Sequence, residues 1–452
     1  RSRGTAADGA GSSDAPRPPP SGALDATLLD DLQGEVLAWL PTAALPVAAC
    51  VCATWRRLLA QDDALWQKHA LRQSVSPPPE ASGDADGAVR RVWRKQMIED
   101  DLALRNRWRR GAAAEKRLTA KHTDHVSALA LAGTTLLSAS ADYTVRASTT
   151  VAPVRVCCDE YVVHHAAPVF DVTCTAAGTH AASCSEDGEA RVWRVADGAE
   201  TLSLFGAAGA LKRRPCYRVA LATLPDAPRR PRSLLYCGGG GDDATAVRIY
   251  DWRRRADCHA SELASSLLVG KLEDFSGEAP RGVCTCIERD GRGAVAVGNS
   301  AAHSQIRVWD EATGALRDRF SLPGRCGGVR CLRLHGPALL CGCDNGWLVQ
   351  IDLRTGTFER KLAHAECISG MVLDVDTHRL VSASDDGTVR VTDARTFTAL
   401  HSQRVRRIVF DVAADRERLY AACDDGSVRV YDHGRAAAST AAASDSTTFG
   451  AQ

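Results

Sequence analysis

The sequence predicts a mainly β fold of seven repeated four-stranded antiparallel units, preceded by a small α-helical domain and a helical linker. Three observations carry this expectation. A turn-and-strand phrase returns seven times between residues 140 and 432, apolar residues before residue 111 recur at helical spacing, and segments rich in Pro, Gly, Ala and Ser separate the blocks.

The chain has 452 residues, enough for more than one domain. Its 56 Lys and Arg against 55 Asp and Glu leave a formal charge of +1, so whole-molecule electrostatics give no reason to expect nucleic acid or an anionic membrane. No run of about 18 apolar residues occurs, and the first residues lack the apolar stretch of a secretory signal, which predicts a soluble intracellular protein, cytoplasmic and/or nuclear. Opening at Arg1 rather than Met suggests that the true N-terminus lies further upstream. Seventeen cysteines without a Cys-x-x-Cys spacing read as small buried apolar residues in a reducing compartment. The pairs Cys50/Cys52, Cys284/Cys286 and Cys341/Cys343 are two apart, which in a strand places both thiols on one face.

The ends come first. Residues 1–22 and 434–452 have almost nothing to bury and are expected to be disordered. A helical domain is expected over residues 23–72. Leu28, Leu32, Val36, Leu37 and Leu40 lie at helical spacing, Pro41 interrupts, and Leu45, Ala48, Ala49, Val51, Cys52 and Trp55 resume it. Residues 73–88, with Pro77, Pro78 and Pro79, form a flexible loop. A helical linker over 89–115 follows from Trp93, Met97, Leu104 and Trp108, with Gly111 as its stop. The eight basic residues against three acids in its stretch from Val89 to Arg110 are assigned to a solvated face rather than to nucleic acid.

Residues 116–433 hold the repeats. The phrase reads Ser140 to Arg146, Ser185 to Trp193, Ser384 to Val391 and Cys423 to Asp432, with weaker copies at Val247 to Asp251, Ile306 to Asp310 and Asn345 to Asp352. Its arginine falls at 146, 191, 248, 307, 390 and 429, with Gln350 in the remaining unit, a period of 39 to 59 residues. Asp-Gly or Asn-Gly supplies the tight turn, and alternating Val-Arg-Val-Trp gives a strand with one face inward. The two long intervals are assigned to loop insertions, Pro225 to Arg232 and Cys258 to Glu278. A segment from Lys116 to Ala120 has no partner of its own, whereas the last unit has only three strands, so pairing the two would close a ring and remove its open edge.

This region, about 70% of the chain, resembles a seven-bladed WD-repeat β-propeller. The family's closing dipeptide stands as Trp309-Asp310 and, degraded, as Tyr250-Asp251, Ile351-Asp352, Thr392-Asp393 and Tyr431-Asp432. The resemblance implies a structural hydrogen-bond network in which His122, His165 and His364 meet a strand hydroxyl and Asp142, Asp187 and Asp386. It also implies that substrates are read on the upper face by the residue after each strand-opening apolar position. Those residues are Ser127, Phe170, Arg330, Ser369 and Arg406, with Arg218 less well aligned; Phe170, Arg330, Ser369 and Arg406 form the candidate substrate-binding set. The two arginines suit a phosphorylated or acidic peptide, but Glu186, Asp344, Asp385 and Asp424 before the turns would repel phosphate, which points to a mixed-charge pocket.

Residues 28–66 resemble an F-box, the motif that docks on the Skp-family adaptor of cullin-type ubiquitin ligases. The pattern fits without a gap through Leu28, Leu32, Val36, Leu37, Leu40, Val51, Cys52, Trp55, Leu58, Leu65 and Trp66, which by resemblance form the adaptor-binding set. The usual Leu-Pro opening is Leu28-Leu29 here, and Gly34 inside the first helix costs about 1 kcal/mol relative to Ala. The linker ending in Asn106 to Gly111 also resembles the spacer of F-box/WD-repeat proteins.

Enzymatic signatures are absent. Gly238 to Gly241 is followed by no Gly-Lys-Ser/Thr, and neither a Gly-x-Ser-x-Gly elbow nor a His-Glu-x-x-His zinc helix occurs. No catalytic residue, cofactor or metal is expected. The resulting expectation is a non-catalytic substrate receptor of a cullin/RING (SCF) ubiquitin ligase. Its partners would be the adaptor and a protein substrate, phosphorylated or acidic, and neither membrane nor nucleic acid. The alternative is a WD-repeat scaffold without ubiquitin transfer.

Overall fold

The computed structural model describes residues 103–434, apart from 119–121, 151–158, 205–214, 225–231, 240–246, 254–266, 273–282, 291–292, 300–304, 324–325 and 376, together with Val36, Leu37, Trp55 and Leu58. The chain divides into two compact units, Arg1–Ala103 and Leu104–Gln452. In the first, the five described residues, Val36, Leu37, Trp55, Leu58 and Ala103, are helical; Leu37 is buried, Trp55 and Leu58 are half-buried, and Val36 is 52% exposed. Of the adaptor-binding set, Leu28, Leu32, Leu40, Val51, Cys52, Leu65 and Trp66 lie outside the described residues.

The second unit is a ring of seven four-stranded antiparallel sheets. Their innermost strands are β2 (Val126–Ala132), β6 (Val169–Cys174), β10 (Cys216–Leu224), β14 (Cys284–Arg289), β18 (Val329–His335), β22 (Ile368–Asp374) and β26 (Val409–Ala414). Six sheets follow chain order outward from these strands. The seventh is composite: β1 (Ala114–Leu118) pairs antiparallel with β28 (Val428–Asp432), with Lys116 opposite Val430. The closing strand expected from 116 to 120 therefore exists, shifted two residues toward the N-terminus. The expected insertion from Cys258 to Glu278 is corrected, because it contains a strand, β13 (Leu268–Leu272), that completes the third blade. Leu268 pairs with Tyr250 across a register shift, an irregularity that the degraded third repeat conceals.

Valine-rich alternation places one face of each strand against the neighbouring blade, so the core is a set of inter-blade layers. In every blade a β-bulge interrupts the pairing of the two innermost strands at the second residue of the inner strand, namely Ser127, Phe170, Tyr217, Thr285, Arg330, Ser369 and Phe410. A bulge inserts one residue and so flips the alternation that follows it. It separates Cys284 from Cys286, which enter different core layers rather than sharing a face, whereas Cys341 and Cys343, with no bulge between them, share one. Gly238 and Gly239 end a strand, as expected of a blade, and a side chain at Gly238 would collide with Cys284.

Helix α1 (residues 103–110) is built into the propeller. Leu104 and Trp108 are buried in the layer between the sixth and seventh blades. The Trp108 indole N–H donates to the Arg416 carbonyl at 3.0 Å, and its ring stacks on His433 at 3.8 Å. Gly111, at φ +66°, ends the helix as its sequence position predicts. Ala112 N–H donates to Arg107 O and Gly111 N–H to Trp108 O, the two bonds of a Schellman cap.

Candidate functional site: the upper face and channel mouth

The loops that enter the inner strands and the tight turns of the middle hairpins lie at one end of the ring, the upper face. Its architecture is set by the histidine networks. In the first blade, His122 Nδ1 meets Asp142 Oδ2 at 2.9 Å, His122 Nε2 meets Ser138 Oγ at 2.9 Å, and Thr144 Oγ1 donates to Asp142 Oδ1 at 2.6 Å. The sixth blade repeats this arrangement with His364, Asp386, Ser382 and Thr388 at 3.0, 2.8 and 2.6 Å. In the second blade, His165 Nε2 meets Ser183 Oγ at 2.6 Å, but Nδ1 stands 3.7 Å from Asp187 Oδ2, and Glu189 replaces the threonine. The seventh blade has no histidine there; Arg117 and Arg407 reach Asp425 at 3.2 and 3.8 Å instead. The histidines and their aspartates are buried, and their hydrogen bonds are used within the blade, the geometry of a structural role. Burial pushes the Asp142 carboxyl up, but bonds from His122 and Thr144 outweigh it and hold the group well below the usual range.

The bulge residues ring the channel mouth. Phe170 stacks on Tyr217 with centroids 5.1 Å apart, and Phe410 lies 5.0 Å from His125. Arg330 is exposed. Ser127, Thr285 and Ser369 turn their hydroxyls sideways, donating to the carbonyls of Val169, Val329 and Val409 in the next blade. Ser369 thus spends its hydroxyl on holding blades six and seven together. Arg406 is not at the equivalent position, which belongs to Phe410. It sits in the loop before β26 with φ +61°, and with Arg404, Arg407, Asp385, Asp386, Asp424 and the exposed Ile408 it lines an open groove between the sixth and seventh blades. The alignment slips because Val405 imitates the strand-opening residue: it is fully buried, but its N–H bonds back to Gly387 O and closes the loop. Tyr217 and Thr285 were missed because the third and fourth repeats lack the histidine that marks the start of an inner strand.

The groove and mouth are of mixed charge. Burial raises the Asp385 carboxyl while Arg330 pulls against it, and burial pushes the neighbouring Cys367 thiol up to about 11. Asp385 Oδ1 and Asp424 Oδ1 are buried atoms with no hydrogen-bond partner. Below the mouth, a channel cavity of about 530 Å³ holds Asp171, Arg218, Glu288, Arg333 and Asp411. Asp171 accepts a bond from Val219 N–H at 3.0 Å and Asp411 one from Leu129 N–H at 2.9 Å, each joining the inner strands of adjacent blades. Glu288 and Arg333 pair at 3.2 Å. Arg218, set beside the third-blade bulge, faces Asp171 at 3.6 Å and donates to the Thr285 carbonyl. Burial raises Asp411 to about 6 despite Arg333. The channel charges are consumed by one another and by backbone, so the surface open to a partner is the aromatic and mixed-charge rim.

The WD domain, G-beta repeat, matches residues 155–194 and 356–393, segments that each include the outer strand of one blade and the inner three strands of the next, the second and the sixth. Together with the seven closed sheets, these matches support a WD-repeat protein, a class of propeller that serves as a protein-interaction scaffold. No curated protein matches the chain. Among the described residues, no helix is long and apolar enough to cross a membrane.

Proposed function

We propose that this WD-repeat protein is the substrate-recognition subunit of a cullin-type (SCF) ubiquitin ligase, its first unit docking on a Skp-family adaptor and its propeller binding the protein to be modified. The observation that carries the substrate half is the rim. Phe170, Tyr217 and Phe410 offer apolar contact, Arg330 offers an exposed cation, and Asp385 and Asp424 carry buried oxygens without donors. Aromatic and arginine side chains are the residues that anchor protein interfaces, and orphaned carboxylate oxygens favour a partner that brings N–H donors. The preferred substrate segment is therefore of mixed charge, with an apolar anchor and a basic or amide-rich stretch, rather than one dominated by phosphate. The adaptor half rests on the ungapped F-box pattern over residues 28–66. In this reading the chain performs no bond chemistry and works in the cytoplasm and/or nucleus.

Co-purification of the adaptor and cullin with the full chain tests the ligase assignment. Leu37 is buried and its truncation would disturb folding, so Val36→Glu on the exposed side, with Trp55→Ala, is the informative pair. The expected result is recovery of adaptor and cullin with wild type and loss with the variants while the propeller stays folded. Recovery of neither with wild type refutes the assignment and leaves the scaffold function alone.

A further inference from the structure

We propose that the second blade carries a divalent transition-metal site whose protein ligands are His165 Nδ1, Asp187 and Glu189, with Zn²⁺ as the fitting ion. The first and sixth blades show what the position does without a metal: the threonines at 144 and 388 bond the turn aspartate, and the histidine Nδ1 bonds the same carboxylate. In the second blade that pattern is broken twice. Glu189 replaces the threonine, and His165 Nδ1 is a buried atom with no hydrogen-bond partner on a side chain that is 0% exposed. A buried ring nitrogen left without a partner is rare and calls for a reason.

Geometry supplies one. His165, Asp187 and Glu189 each offer a ligand atom, and the three atoms lie within 4.8 Å of one another. The Nδ1 to Asp187 Oδ2 separation of 3.7 Å is too long for a hydrogen bond. It is close to the edge of a zinc tetrahedron, about 3.3 Å for ligand bonds of about 2.0–2.2 Å. One imidazole and two carboxylates suit zinc better than magnesium, which takes oxygen ligands in an octahedron. The surroundings act as an outer shell. Ser183 Oγ lies 2.6 Å from Nε2 and, by accepting from it in the tautomer that ligation requires, would leave the Nδ1 lone pair for the ion, and both bonds from Arg191 to Glu189 end on Oε2, at 3.0 and 2.8 Å. The metal would tie the loop entering β6 to the turn at Gly188, and so fix Phe170, the aromatic bulge residue of this blade.

The test is metal content of the full chain after loading with Zn²⁺ and dialysis, compared with Glu189→Thr, which installs the residue found at 144 and 388. Both proteins keep all seventeen cysteines, so adventitious thiolate binding cancels. Wild type is expected to retain one more Zn²⁺ per chain, and equimolar Zn²⁺ to raise its melting midpoint but not that of the variant. Should Glu189→Thr fail to fold, the isosteric Glu189→Gln takes its place. Equal metal content in wild type and a folded variant overturns the site, as does a wild-type midpoint that Zn²⁺ leaves unchanged.

Discussion

Replacing Trp108 by alanine should destabilise the propeller even though Trp108 lies outside every strand. The indole is 1% exposed, packs with Leu104 between the sixth and seventh blades, stacks on His433, lies 4.0 Å beneath the Arg379 guanidinium, and donates to the Arg416 carbonyl. A buried tryptophan removes about 150–250 Å² from water, which at about 25 cal/mol per Å² amounts to roughly 4–6 kcal/mol. Alanine retains a little of this, and core Trp→Ala changes cost about 3–5 kcal/mol. That is a large share of the about 5–15 kcal/mol by which domains are stable. Trp108→Phe keeps the stack and loses the indole hydrogen bond, so its cost should be nearer 1 kcal/mol plus the volume difference. Urea unfolding followed by far-UV circular dichroism measures both. A Trp108→Ala loss below about 1 kcal/mol would refute the claim that α1 belongs to the propeller's cooperative unit and would make it a detachable linker.

Three further outcomes follow from local geometry. Gly346→Ala should be far more damaging than Gly314→Ala: both glycines have positive φ, +80° and +68°, but a Cβ at 346 would fall onto the His364 carbonyl oxygen, whereas at 314 it meets nothing within 4 Å. Gly314→Ala should cost about 1–2 kcal/mol, and similar melting temperatures for the two variants would contradict the packing. His433 is held down at about 4, chiefly by burial and then by His401. Its folded value lies below the unfolded one of about 6.5, so its contribution is intact above pH 6.5 and is lost as pH falls toward 4, by up to about 3 kcal/mol. Denaturation at pH 7.5 and 5 should show a steeper decline for wild type than for His433→Phe, and equal declines would reject the assignment. Last, without added metal, His122→Ala should cost more than His165→Ala, because the first ring has partners on both nitrogens and the second on one. The reverse order in melting temperature would count against the role given to these networks.

How much could be read beforehand depended on local chemistry. The Asp-Gly turns and the alternation of Val-Arg-Val fixed the hairpins around Asp187, Asp386 and Asp425, because turn type and strand period are both short-range properties. His122, His165 and His364 located the inner strands that begin four residues later. In three of the four blades that lack the histidine, register was lost: Arg406 took the place of Phe410, and Tyr217 and Thr285 went unread, whereas Arg330 in the fifth was placed correctly. Bulges are invisible to a period-of-two pattern, which is why Cys284 and Cys286 were put on one face. The sideways hydroxyls of Ser127 and Ser369 depend on a carbonyl in the next blade, about 40 residues away in sequence, and nothing local announces such a partner. The exchange of threonine for Glu189 stood in plain view, but its meaning needed the neighbouring Nδ1.

The pairing of β1 with β28 has a consequence in time. Glu115 and Arg429, which meet across the seam, are 314 positions apart, and a ribosome adding about 5–20 residues per second needs roughly 15–60 s to travel that distance. Throughout that interval β1 is an edge without a mate, and six complete blades can form before it finds one. Synthesis of β28 is therefore what makes the ring whole, so a nascent chain stalled before Val428 would present an open sheet to whatever strand or chaperone it meets.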